Sequence, residues 1–128
     1  MPTRKKRRKQ DGGMVAKTLE YLATQPGFIA ERRNSGSIKV GERLIKLGEA
    51  GTFDVTGYYT PPTGLPVPFE IEAKSSIGKP RPSQRKRGER LTAARVPHCY
   101  ARSLADVVAF VARLRVLALA RSAEARVS

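Results

Sequence analysis

The chain has 128 residues, 40% of them hydrophobic, and a formal net charge of +14. That length allows one modest core and not two, and no run of about 18 apolar residues is present to cross a membrane. One cysteine, Cys99, excludes an internal disulfide, and one histidine leaves no Cys/His cluster for zinc. The charge excess points to a polyanionic partner. Nucleic acid is preferred to a membrane surface, because the most basic stretch has no apolar anchors and the chain has no Trp.

Residues 1–10 carry Arg4, Lys5, Lys6, Arg7, Arg8 and Lys9 with no acid. Such a block repels itself, so it is expected as a disordered basic tail. It would serve as a nuclear localisation signal or as a set of phosphate contacts. Without its six charges the rest keeps +8, so the folded part is basic in its own right. No apolar segment follows the tail, so a secretory signal is not expected, and the lone thiol suits a reducing compartment.

A single domain is expected over residues 11–120, with a frayed tail at 121–128. Asp11 to about Thr24 reads as a helix with Val15, Leu19 and Leu22 on its apolar face, stopped by Pro26-Gly27. Residues 28–34 read as a strand, and 38–47 as a further hairpin or extended excursion. Two strands follow, at 53–58 and 69–74, joined by a Pro- and Gly-rich loop. After a proline-stiffened loop, Ser83 is placed to cap a helix to about Arg95. His98 to Arg102 reads as a short buried strand in which His98 and Cys99 are structural. Ser103-x-x-Asp106 forms a capping-box variant that opens a helix from Leu104 to about Ala120. Val107, Val108, Phe110, Val111, Leu114 and Leu117 make that helix apolar over a wide face. It is either buried in one subunit or also meets a second. The order predicts an α/β fold with a mixed central sheet.

The middle of the chain carries the chemistry. In Phe69-Glu70-Ile71-Glu72-Ala73-Lys74, alternation puts Phe69, Ile71 and Ala73 on one face and Glu70, Glu72 and Lys74 on the other. In Phe53-Asp54-Val55-Thr56-Gly57-Tyr58 it groups Phe53 with Val55, and Asp54 with Thr56 and Tyr58. An antiparallel hairpin centred near Thr63 sets Asp54 opposite Glu72. Directly opposed Cβ atoms lie roughly 5 Å apart, a spacing that suits two carboxylates sharing a divalent cation. Taken alone, each strand would also pass for an amphipathic edge with a salt-bridged outer surface.

The ordered set Asp54 … Glu72-x-Lys74 resembles the PD-(D/E)XK nuclease superfamily, and more narrowly the virus-type replication-repair nuclease (VRR-NUC) domain. Gly51-Thr52-Phe53-Asp54 stands where that family has a Gly-x-Pro-Asp turn, with Phe53 in place of the proline. Lys74-x3-Gly78-x5-Gln84 and Arg33-Asn34-Ser35-Gly36 match further segments, and the likeness covers roughly residues 11–112. The resemblance implies a restriction-endonuclease-like αβββαβ core, a mixed sheet flanked by helices. It implies a Mg²⁺- or Mn²⁺-dependent DNA endonuclease, acting on branched or Holliday-junction-like DNA in replication, repair or recombination. A cytoplasmic setting, bacterial or phage-encoded, and a homodimer are implied with it.

Asp54, Glu72, Lys74 and Gln84 are then the expected catalytic residues. Asp54, Glu72 and the Ala73 carbonyl would hold the metal, since Mg²⁺ takes oxygen ligands. Lys74 would orient the attacking water, lower its pKa or stabilise transition-state charge. Asp11 and Glu70 are possible accessory acids, Asp11 being otherwise a plain N-cap and Glu70 more simply paired with a basic neighbour. Arg33, Lys79, Arg81, Arg85, Lys86, Arg87 and Arg90 are expected to contact DNA, through its phosphates. The competing readings are a non-catalytic basic nucleic-acid-binding protein, whose acidic strands are salt-bridged structure, and a protein-interaction module that recruits DNA repair or replication factors.

Overall fold

The computed structural model describes residues 2–33, 36–47, 51–74 and 79–127, without the side chains of 2–12, 36–38, 44–47, 126 and 127. The elements run α1 (Pro2–Ala23), β1 (Phe28–Arg32), β2 (Gly36–Val40), β3 (Arg43–Leu47), β4 (Val55–Tyr59), β5 (Val67–Ala73), α2 (Pro82–Ala93), β6 (His98–Ala101) and α3 (Leu104–Val127). The architecture is α/β. A four-stranded sheet in the order β1-β4-β5-β6 is antiparallel except for the parallel β5–β6 pair, and β2–β3 form a separate hairpin.

Alternation on β5 divides the molecule into two faces. Phe69 and Ile71 enter an apolar core with Val55, with Val15 and Leu22 of α1, and with Val107, Phe110, Val111, Leu114 and Ala118 of α3. Glu70 and Glu72, also buried, turn to the opposite face, which α2 covers. Gly88 is what lets α2 sit close there. A Cβ on it would stand 2.9 Å from the Tyr100 hydroxyl, and that hydroxyl donates to the Gln84 carbonyl.

Several boundaries and faces differ from the sequence expectation. α1 begins at Pro2, so the backbone of the basic run joins the helix instead of forming a separate tail. Proline is well tolerated at a helix start, and Lys, Arg and Gln are good helix formers. α3 likewise continues through residues 121–127, where Ala, Glu and Arg favour helix. α2 starts at Pro82 with Arg81 at its N-cap, not Ser83. It stops at Ala93, before Pro97 could end it, because Arg95 takes a left-handed φ of 61°. The Val96 and Arg95 N–H groups return to the Leu91 and Thr92 carbonyls, the bonding of a Schellman stop.

Phe53 is buried but does not share a face with Val55. It lies just before β4, and its ring packs against His98 and Tyr100 on the α2 side. Of the wide apolar face expected on the last helix, Val107, Phe110, Val111 and Leu114 belong to the core, and Leu117 is half-buried. Only Val108 is exposed, so that face as a whole is not a free surface. At the start of α3, the capping residues work as expected: the Asp106 N–H donates to Ser103 Oγ, and Asp106 accepts the Arg102 N–H. Cys99 packs against the core, and burial pushes its thiol up to about 12.

Candidate functional site

Register brings the two acidic strands together. Val55 faces Ile71 and Thr56 faces Glu70, the pairing that a hairpin centred near Thr63 requires. One step further on, the Asp54 N–H donates to Glu72 Oε1 (3.0 Å), and the Ala73 N–H donates to Asp54 Oδ2 (3.2 Å). The entry turn fits closely. Gly51 has a φ of 83°, and a Cβ there would stand 2.3 Å from the Ser83 carbonyl oxygen. The turn that delivers Asp54 is thus pressed on the first residues of α2.

Those first residues bring in Gln84, which is buried. Its Nε2 donates to Glu72 Oε2 (2.5 Å), while its Oε1 accepts from Lys74 Nζ (2.5 Å) and from the Arg81 N–H (3.0 Å). Lys74 Nζ also lies 3.4 Å from Glu72 Oε2. Asp54, Glu72, Ala73, Lys74 and Gln84 therefore form one connected cluster. Gln84 is an organiser within it: its amide reaches into the site, with both ends committed to neighbouring groups.

Electrostatics follow from burial and like charge. Burial raises the Asp54 carboxyl above its ordinary value, against the Ala73 N–H and the positive charges of Lys74, Arg32 and Arg81. Glu72 is raised first by burial and then by the Asp54 charge, with Lys74 opposing. Lys74 is the cation paired directly with Glu72, while Arg32 and Arg81 act on Asp54 through space. The oxygens on offer are two carboxylates, with the carbonyl of Ala73 following Glu72 in the chain. That set suits a hard divalent cation such as Mg²⁺ or Mn²⁺, which would complete its shell with water and phosphate oxygens. Among the described residues, no group of three or more His, Cys, Asp or Glu gathers into a fuller cage.

No family model, curated protein or solved structure matches this chain. The residues themselves must carry the reading.

Glu70 stands apart from this cluster. Arg87 holds it bidentately, Nη2 to Oε2 at 2.6 Å and Nε to Oε1 at 3.2 Å, and Arg33 Nη1 reaches Oε1 at 3.5 Å. The pairing of Glu70 with basic neighbours is the arrangement found. Arg33 and Arg87, expected to contact DNA, are paired here with Glu70, their side chains 28% and 16% exposed. Arg85, Lys86 and Arg90 lie exposed on α2, with Lys79 and Arg81 exposed just before it. Asp11 lies on the α1 backbone with its side chain outside the described residues, as are Asn34, Ser35 and Gly78.

Three nearby residues were not assigned to the site from sequence. Arg32 sits at the end of β1, opposite Val55, close enough to act on Asp54. Tyr100, opposite Glu72 in the parallel register, joins through the Gln84 carbonyl. Thr52, two residues before Asp54, has a buried hydroxyl with no hydrogen-bond partner among the described residues. Alternation along β6 would have put Tyr100 on the Glu72 face, had the strand pairing been known. Nothing local distinguishes Arg32 or Thr52.

Proposed function

We propose that this protein is a metal-dependent DNA nuclease of the PD-(D/E)XK type, similar to VRR-NUC domains. The observation that carries the reading is the convergence of Asp54, Lys74 and Gln84 on Glu72. These are four residues from three segments of a strongly basic chain. Asp54, Glu72 and the Ala73 carbonyl would hold Mg²⁺ or Mn²⁺. The chemistry such an ion supplies is charge neutralisation at the phosphoryl oxygens and a lowered pKa for attacking water.

The chain's own residues do the positioning. Lys74 is fixed by Gln84 and Glu72 in a site where it can donate to a phosphoryl oxygen or orient the attacking water. Gln84 locks Glu72 in one orientation, so its carboxylate needs no rearrangement when substrate arrives. The exposed cations Lys79, Arg81, Arg85, Lys86 and Arg90 provide sequence-independent affinity through phosphate contacts. Arg32 and Arg81 are near enough to Asp54 to steer a phosphodiester toward the acid pair. The substrate class is DNA, with branched or junction-like forms as the preferred structures, in replication, repair or recombination.

A second reading has its own observation. Asp54 and Glu72 each accept a backbone N–H from the other's strand, as a purely structural clasp in a non-catalytic DNA-binding protein would. Incubating the protein with linear, flapped and four-way DNA, with Mg²⁺, Mn²⁺ or EDTA, separates the two. Cleavage that needs the metal and is lost in Asp54→Asn supports the nuclease. Retention of DNA without cleavage under every condition supports the clasp.

A further inference from the structure

We propose that Tyr58, with Ile29 and Pro68 beside it, is a stacking platform for one unpaired base of the DNA strand that crosses the acid pair. The proposal rests on the nuclease reading and narrows its substrate to DNA with an unpaired segment next to the cut. Ile29 faces Tyr58 across β1–β4, and Tyr58 faces Pro68 across β4–β5. Alternation puts all three on the sheet face opposite the core, the face that carries Glu70 and Glu72. That end of the face lies open: Ile29 is 73% and Tyr58 55% exposed, and Pro68 is exposed beside them. The other tyrosines are put to use by the fold. Tyr21 and Tyr59 pack on the core, and Tyr100 donates to the Gln84 carbonyl. The Tyr58 side chain has no hydrogen-bond or aromatic partner among the described residues. Beyond the strand propensity of tyrosine, nothing in the fold calls for a ring there.

Position and charge identify the occupant. Along β5, Pro68 lies four residues from Glu72, about 13 Å at the rise of a strand. That is the length of about four stacked nucleotides, and of fewer in an extended strand. Glu70 stands between the two, but Arg87 and Arg33 hold it, so the row that a phosphodiester must pass carries no net negative charge. Glu31, opposite Thr56, is exposed at the β1 edge, which keeps the path over β4 and β5. Three side chains fall well short of the ~800 Å² per partner that a specific protein interface covers. A chain of net charge +14 instead draws a polyanion. An aromatic ring stacks on any base that offers a free face. In a duplex both faces of each base are already stacked, so the platform selects strands with an unpaired base, as flaps and junctions have.

Fluorescence anisotropy in EDTA, with a labelled single-stranded oligonucleotide and the same sequence as a duplex, reads this without any cleavage. Tyr58→Thr keeps a strand-favouring residue. It should weaken single-strand binding about tenfold and leave duplex binding unchanged, with the fold intact by circular dichroism. Tyr58→Trp should bind the single strand at least as well as the wild type. Asp54→Asn should bind both DNAs as the wild type does, and should show the same single-strand loss when combined with Tyr58→Thr. Equal weakening on both DNAs would overturn the platform. So would a failure of Tyr58→Trp to bind the single strand, or no weakening at all in Tyr58→Thr, the result expected if the patch serves a protein. Should no DNA be cut under any condition, the nuclease reading falls, while a loss confined to the single strand still upholds the base site.

Discussion

Glu70 and Glu72 lie two residues apart on β5, point the same way and are buried to the same degree, 6% and 4% exposed. Their surroundings differ completely. Glu70 is met by two guanidiniums, Arg87 in two contacts and Arg33 in a third. Glu72 is met by the Asp54 N–H, a neutral amide and one ammonium, with the Asp54 charge acting against it. A buried carboxylate with its positive charge already supplied is finished structure. One that faces another acid has room for an added cation. The difference separates the structural end of the α2 face from the end that can do chemistry.

The largest expected effect falls at the Glu72 end. Asp54→Asn or Lys74→Ala should slow Mg²⁺-dependent DNA cleavage by about 10²–10³-fold, with DNA affinity nearly unchanged. Glu70→Gln should leave the rate per folded molecule within a few-fold. Equal losses in all three variants would erase the distinction.

The reverse ranking is expected for stability. Arg87→Met leaves Glu70 buried with, among the described residues, only the longer Arg33 contact, at a cost of roughly 3 kcal/mol. Urea unfolding should show this variant to be the least stable of the set, well below Lys74→Met.

The sequence carried this division only in part. Asp54, Glu72 and Lys74 were legible because strand alternation and loop length together fix which residues oppose each other. The element order was legible from Pro and Gly punctuation and from apolar periodicity. The fates of Arg33 and Arg87 were not, because a basic residue on a strand or helix looks the same whether it faces water or a buried acid. Phe53 escaped for a related reason. Alternation holds only inside a paired strand, and Phe53 lies in the turn that precedes one. The stop of α2 at Ala93 depended on Arg95 adopting a conformation that glycine usually supplies.

Smaller effects should mark the outer face of α2. Arg85→Ala or Lys86→Ala should weaken binding to all DNA sequences alike, each lowering the slope of log K against log salt by up to ~0.9. Arg87→Met should leave that slope unchanged, because its guanidinium is paired with Glu70.

The smallest predicted effect is thermodynamic and depends on pH. Burial holds the Asp54 and Glu72 carboxyls above their ordinary values of 3.8 and 4.5. The folded chain therefore resists their ionisation, so the stability they contribute is whole below those values and lost as pH rises through the raised ones. Asp54→Asn should accordingly raise Tm at pH 7 in metal-free buffer and change it little near pH 3, as measured by calorimetry.

Mn²⁺ binding, followed by the loss of the free ion's paramagnetic signal, tests the central claim most directly. The wild type and Glu70→Gln should bind the ion alike, and Asp54→Asn should not. Equal binding by all three proteins, or binding lost in Glu70→Gln and kept in Asp54→Asn, would contradict the assignment.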